Sequence, residues 1–185
     1  MARIPLIERE QLPARDQDLI ARPINLLKAL ANHPSAMRAF SGPAAWIRSE
    51  STLAARLREL VILQIGHVTG SAYEFSHHIK ISRAFGVTPD DVQAVIDETA
   101  GRPTRFEPVE VAALAAARDL TLRCTLSDAS WTRLEALLGR EQAIELVLII
   151  GYYNYLARVI AGFAIDVEPE YAALLEPYRS SGGPS

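Results

Sequence analysis

The chain has one cysteine, no excess of positive charge and no apolar run of membrane-spanning length free of polar residues. Each shortage closes off a class of function. With Cys124 alone there is no internal disulfide, no cysteine-rich metal site and no two-cysteine redox centre. Cys124 also lacks a CxxC partner and a local base, so it reads as structural, and a reducing cytoplasm suits it. Lys and Arg number 19 against 22 Asp and Glu, for a net charge of -3, and they are scattered along the chain. No basic stripe is available to neutralise a phosphate backbone, so nucleic acid is not an expected partner. The most membrane-like run, Leu146 to Ile165, carries Asn154 and Arg158 near its middle. A mid-bilayer arginine costs at least about 2.5 kcal/mol, which points to a buried helix and not a membrane partner. The first residues, Met1-Ala-Arg-Ile-Pro-Leu-Ile-Glu-Arg-Glu, are acidic and proline-containing where an export signal needs an apolar core, and a cytoplasmic location is expected.

What is present is a globular composition, 49% hydrophobic and 22% charged over 185 residues. That length fits one domain able to bury a substantial core, expected over residues 1–179 with an N-terminal extension. The tail Ser180-Ser-Gly-Gly-Pro-Ser185 has nothing to bury and is expected to be disordered. Nearly every long apolar segment has helical spacing, and the breaks between them look like caps, so the fold class is all-α. Helices are expected over about Asp18–Leu30, Pro34–Phe40, Ala44–Arg48 and Thr52–Val68, then from Ser71 to near Phe85. Thr88-Pro-Asp-Asp91 supplies a cap, a first-turn proline and first-turn acids for a helix ending near Thr99. Further helices are expected over Val109–Arg123, from Ser127 or Asp128 to Gly139, and over about Arg140–Ile165. This last is the most apolar and is expected to be central, with Gly151 and Gly162 letting neighbouring backbones approach.

One stretch crowds ionisable groups into a segment otherwise apolar enough to be core: Glu59-Leu-Val-Ile-Leu-Gln-Ile-Gly-His-Val-Thr-Gly-Ser71-Ala-Tyr-Glu74-Phe-Ser-His77-His78. On a helical projection Glu74 and His78 lie about 40° apart and Ser71 about 20° from His78, so all three share a stripe. A carboxylate beside an imidazole in a partly desolvated place is suited to moving protons near neutrality. The alternative is structural: Ser71 caps the helix, Glu74 reaches back in a capping box, and His78 is a satisfied helix histidine. Glu59 projects beside Leu63 and Gly66, toward the interior or a cleft, where a salt bridge to Arg56 or Arg58 would equally explain it.

His77 is three residues from Glu74, so spacing does not choose between His77 and His78. Glu74-Phe-Ser-His77 also has the Glu-x-x-His spacing of di-iron carboxylate bundles, but no second copy follows, and no metal is expected. Asn154 and Arg158 form an i, i+4 pair preceded by Tyr152 and Tyr153. They can cap a pocket, with Arg158 holding a substrate carboxylate, or form a hydrogen-bonded seam between subunits.

Over roughly Leu30 to Val167, and most clearly from Glu59 to His78, the chain resembles the carboxymuconolactone decarboxylase family, which includes the alkylhydroperoxidase D-like proteins. The resemblance implies an all-helical bundle assembled as a homo-oligomer. In the peroxidase branch a glutamate is followed by two cysteines, as CxxC, and a histidine; here Glu59 and His78 match the outer positions, while Ser71 and Glu74 occupy the cysteine positions. Without those thiols a sulfenic acid and disulfide cycle has no carrier. The Tyr-Glu-Phe-x-His-His run, and Gly151-Tyr-Tyr-Asn154, resemble the decarboxylase-like side.

The resemblance then implies cofactor-free decarboxylation, or a related lyase or isomerase reaction, on a small acidic lactone or enol-forming acid. Glu59, Glu74 and His78 are the catalytic candidates, and Ser71, Tyr73, His77, Asn154 and Arg158 the substrate-binding ones. His78 would bond the developing enolate oxygen, one glutamate would deliver a proton to carbon, and the other would fix the imidazole tautomer. The alternatives are a non-catalytic oligomeric ligand-binding or scaffolding relative, and a redox protein that borrows a flavin or an external thiol.

Overall fold

The computed structural model describes residues 1–184, and among them every regular element is helical. The α-helices are α1 (Asn25–Leu30), α2 (Pro34–Ser49), α3 (Ala55–Val68), α4 (Ala72–Ser82), α5 (Pro89–Thr99), α6 (Pro108–Arg123), α7 (Asp128–Leu138), α8 (Arg140–Phe163) and α9 (Pro169–Ala172). Short 3-10 segments precede α1, extend α4 and follow α9.

The centre of the molecule is α3, not α8. Residues 57–66 of α3 are all buried, because its apolar side chains point in every direction and need neighbours all round. It packs on α4, α5, α6 and α8. One apolar cluster joins Leu57, Val61 and Ile65 to the small residues Ala113 and Ala117 of α6 and to Leu146 and Ile150 of α8. A second joins Leu60 and Leu63 to Phe75 and Ile79 of α4 and to Val92 and Val95 of α5. Helix α8 instead keeps one side open, with Ile144, Leu148 and Tyr155 exposed. A Cβ built on Gly151 or Gly162 meets nothing within 4 Å, so the expected close approach at these glycines is not made inside the chain.

Local chemistry explains where the elements differ from expectation. The helix predicted over Asp18–Leu30 is broken at Ala21–Ile24, because Pro23 disfavours the helical region for Arg22 and cannot donate. The opposite happens at Ser41-Gly-Pro43, where α2 runs straight through the predicted turn. The carbonyl that Pro43 leaves without a partner belongs to exposed Ala39, where water can meet it, while buried Met37 and Ile47 anchor both halves. The residues before α3 are held by a carboxylate from α8: Glu145 accepts from Thr52 N–H and Leu53 N–H, each at 2.9 Å, and from the Ser51 and Thr52 hydroxyls at 2.7 and 3.1 Å. In the tail, where disorder was expected from Ser180, the 3-10 segment reaches Ser181 and Gly183 N–H donates to Tyr178 C=O at 2.9 Å. Tyr178, buried on the α4–α5 side, anchors this end; Ser185 lies outside the described residues.

The two ends of the chain are fastened together. Arg3 N–H donates to Phe163 C=O at 2.8 Å, the Asn25 side chain to Asp166 C=O at 3.0 Å, and Asn25 N–H to the Glu168 carboxylate at 2.6 Å.

Candidate functional site

Helices α3 and α4 form a hairpin whose turn is set by Gly70 at φ 66 and by Ser71, whose hydroxyl accepts from Glu74 N–H at 3.4 Å as the α4 N-cap. Below the turn the helices touch at Gly66, where a Cβ would lie 3.0 Å from the Phe75 backbone nitrogen. This close approach brings Glu59 on α3 opposite His78 on α4.

His78 Nδ1–H donates to Glu59 Oε2 at 2.7 Å, and His78 Nε2 lies 3.8 Å from Glu74 Oε2. The three side chains expose only 3, 4 and 7% of their surfaces in the order Glu59, Glu74, His78. Arg58 donates from Nε to the other Glu59 oxygen at 3.4 Å and from its terminal nitrogen to Ile47 C=O of α2 at 3.1 Å. The Tyr153 ring meets the His78 ring edge-on, 5.2 Å between centres.

The expected capping box is only half formed, since Ser71 caps while the Glu74 side chain does not return to the Ser71 backbone. Glu74 Oε2 is instead buried without a hydrogen-bond partner. Burial pushes the Glu74 carboxyl up to about 7, offset in part by His78 and reinforced by Glu59. Burial also acts against Glu59, but His78 and then Arg58 outweigh it and hold that carboxyl below its ordinary value. For His78, the Glu59 and Glu74 carboxylates outweigh burial and raise the imidazole above 6.5. The Tyr153 hydroxyl is raised well above 10 by burial and then by the two glutamates. Two carboxyls of unlike proton affinity on either side of one imidazole can hold, accept and release a proton near neutrality.

The predicted binding residues do not all gather here. Ser71 stays at the helix cap. Tyr73 and His77 turn to another face of α4 and join Glu168: His77 Nε2–H donates to Glu168 Oε2 at 2.8 Å, and the Tyr73 hydroxyl donates to Glu168 Oε1 at 3.2 Å while accepting from Leu26 N–H at 3.0 Å. The His77 ring is stacked between Tyr73 and Tyr171, at 4.2 and 3.7 Å. Fully engaged in tying both chain ends to α4, these two have no free donor to offer a substrate beside Glu74. Geometry thus separates the two histidines that spacing left equivalent. Asn154 bonds Thr121 of α6 at 2.8 Å, and Arg158 donates to the Asn154 backbone and side-chain oxygens at 2.7 and 2.9 Å. That pair makes no hydrogen bond to Glu59, Glu74 or His78 among the described residues.

Sequence reasoning missed Tyr153 as the ring against His78, although Gly-Tyr-Tyr-Asn had been singled out, and it missed Glu168, whose partners lie 91 residues or more away. Among the described residues no three His, Cys, Asp or Glu side chains are grouped to hold a metal ion. A surface cleft of about 550 Å³ lies between Thr52 and residues 138–144, and none of Glu59, Glu74 and His78 lines it.

Residues 32–119, which carry Glu59, Glu74 and His78, match the family model of the carboxymuconolactone decarboxylases. The resemblance is to the carboxymuconolactone decarboxylase family. The matched segment stops before α8, so Tyr153, Asn154 and Arg158 lie outside it. No curated protein matches the sequence.

Solved structures extend the likeness over the whole bundle. An uncharacterized peroxidase-related protein from Ralstonia eutropha JMP134, with an alkylhydroperoxidase AhpD core, superposes with a TM-score of 0.79 at 19% identity, over 92% of this chain and 94% of that one. The debrominase Bmp8 bound to 2,3,4-tribromopyrrole gives 0.75 at 22% identity, over 88% and 86%. A putative antioxidant defence protein AhpD from Agrobacterium tumefaciens gives 0.67 at 21% identity, over 75% and 94%. At these identities the likeness shows the AhpD-type fold.

Proposed function

We propose that this chain is a cofactor-free enzyme of carbon–proton chemistry, a decarboxylase or related lyase or isomerase, acting on a small acidic lactone or enol-forming acid. The observation that carries this reading is Glu74: a buried carboxyl raised to about 7, with one oxygen unpartnered and 3.8 Å from His78 Nε2. Two ionised glutamates would repel an anionic substrate, but a protonated Glu74 removes that objection. Arg58 and a protonated His78 then outnumber the Glu59 carboxylate by one positive charge, so the charge around the imidazole favours an anion.

In decarboxylation the bond to the departing CO2 breaks, and its electron pair passes into a dienolate through the substrate's own carbonyl. Glu59, held low, accepts from Nδ1–H and orients the imidazole so that Nε2–H stabilises the enolate oxygen. Glu74 gives its proton to the carbanionic carbon and regains one from solvent. Tyr153, whose hydroxyl keeps its proton, sets its ring edge-on against the imidazole. The tribromopyrrole bound by the debrominase is itself a small planar ring, which supports a compact, ring-shaped substrate here. Ser71 and Glu74 offer proton chemistry where two thiols would offer electrons.

The test is CO2 release from γ-carboxymuconolactone and related acids by wild type and by folded Glu59→Gln, Glu74→Gln and His78→Ala variants. Release by wild type that falls at least about 100-fold in each variant is expected. Equal release by all four proteins refutes the reading.

A further inference from the structure

Glu74 and His78 expose 4 and 7% of their surfaces and line no part of the 550 Å³ cleft, so a substrate reaches them only when something moves. The elements around them are held with unequal firmness. Eight of the eleven residues of α4 are buried, but only Met37 and Ile47 among the sixteen of α2. Having few buried side chains lowers the free energy of local opening.

The hold on α2 is also uneven along its length. Its first half is fixed by Met37, packed with Leu12 and Ile20, and by Arg38, which donates to Asp16 at 3.0 Å and to Asp18 at 2.9 Å. Beyond its last turn, Ser51, Thr52 and Leu53 are fixed by Glu145. Residues 44–49 lie between these anchors, with a weak point on each side. On the first, Pro43 donates no hydrogen bond to Ala39 C=O, the Ser41 hydroxyl competes for Met37 C=O at 2.8 Å, and Gly42 has open space where a side chain would be. On the second, Glu50 leaves the helical conformation, and Glu50 N–H and Ser51 N–H both donate to Trp46 C=O.

We infer that residues 44–49 are a flap that lifts to admit the substrate, and that Arg58 is its latch. Arg58 is the one buried Lys or Arg among the described residues, so its donors need partners. One partner is Ile47 C=O, at 3.1 Å, in the flap itself. The guanidinium is otherwise held by Glu59 at 3.4 Å and by the face of the Phe85 ring at 5.2 Å. The latch therefore joins the flap to the carboxylate that orients His78. Trp46 and Ile47 also share an apolar cluster with Tyr152 and Tyr153, and Tyr153 lies against His78. Lifting the flap frees Arg58 beside Glu59 and uncovers Tyr153 beside His78, and closing it restores the row Arg58, Glu59, His78 before reaction. That a substrate is what enters rests on the reading of Glu74 and His78 as the reacting groups; the motion itself is measured without one.

Hydrogen–deuterium exchange of the full chain, read by mass spectrometry, tests the flap. In wild type, residues 44–49 should be at least about 100-fold less protected than residues 57–66 of α3, and less protected than 34–41. Pro43→Ala supplies the missing donor and should slow exchange in 44–49 about 10-fold. Arg58→Met removes the latch and should speed it about 10-fold while 34–41 stays unchanged. Ile47→Ala loosens the same segment by a second route should Arg58→Met fail to fold. Diethyl pyrocarbonate, which modifies neutral imidazole, reads the link to the site: His78 should react about 10-fold more slowly in Pro43→Ala and faster in Ile47→Ala, with exposed His33 unchanged. Residues 44–49 that exchange as slowly as α3, or in one step with 34–41, overturn the inference. So does a His78 reactivity that neither variant alters. The expected exchange and labelling without CO2 release from any of the proteins overturns the decarboxylase reading and leaves the flap standing.

Discussion

Replacing Glu74 with glutamine should make the protein more stable at alkaline pH while removing its activity. A glutamate titrates near 4.5 in the unfolded chain, and Glu74 in the fold titrates near 7, so the folded state holds this proton the more tightly. Below pH 4.5 both states carry it and the group is neutral to stability. As pH rises toward 7 the unfolded state ionises first and is favoured, and above 7 the full cost is present. At about 1.4 kcal/mol per pH unit the gap is worth about 3 kcal/mol by pH 8. Glutamine has nearly the same shape and does not titrate. Glu59 and His78 titrate in both proteins, so the difference between wild type and variant isolates Glu74 to first order. Urea unfolding of both between pH 4.5 and 8 should show the variant gaining about 3 kcal/mol on wild type across that range. A difference that is flat with pH, or that runs the other way, would refute the assignment of Glu74 as a buried, proton-holding acid.

Two structural predictions concern the frame around the site. Gly66→Ala should destabilise by about 1–3 kcal/mol despite alanine's better helix propensity, because the new methyl meets the Phe75 backbone and must spread α3 from α4; thermal unfolding checks it, and a gain in stability would show that the crossing can yield. Glu145→Ala strips four bonds from the residues leading into α3 and should cost about 2–4 kcal/mol in urea unfolding. A loss under about 0.5 kcal/mol would mean that water serves those donors as well.

The parts of this fold that were legible in the sequence are those decided over a few residues. Thr88 caps α5 as expected, with first-turn Asp91 bonding back to it, and Ser127 caps α7. Projection turns Glu59 away from bulk water, toward the interior or a cleft, since its neighbours on the helix are apolar, and the side chain is buried. What could not be read depends on partners far along the chain. Whether Glu74 returned to its own helix cap or stayed free was a matter of which neighbour competed for it, and spacing fits both. Nothing local distinguishes His77 from His78; Glu168, 91 residues on, takes the first, and Glu59, 19 residues back, takes the second. Helix α8 misled for a related reason: its hydropathy records how much apolar surface it carries, not whether the same chain covers it.

The fastening of the two chain ends bears on the order in which the protein can be made. The groups that Asn25 meets lie more than 140 residues downstream, and Tyr73 and His77 wait for Glu168 and Tyr171. During synthesis the α3–α4 hairpin and the cluster of Leu12, Ile20, Ala31 and Met37 can close early on local contacts, but Asn25, Tyr73 and His77 meet these partners only once Glu168 and Tyr171 have been made. A chain cut short before Glu168 would leave Asn25 N–H and the aromatic face of α4 without these partners.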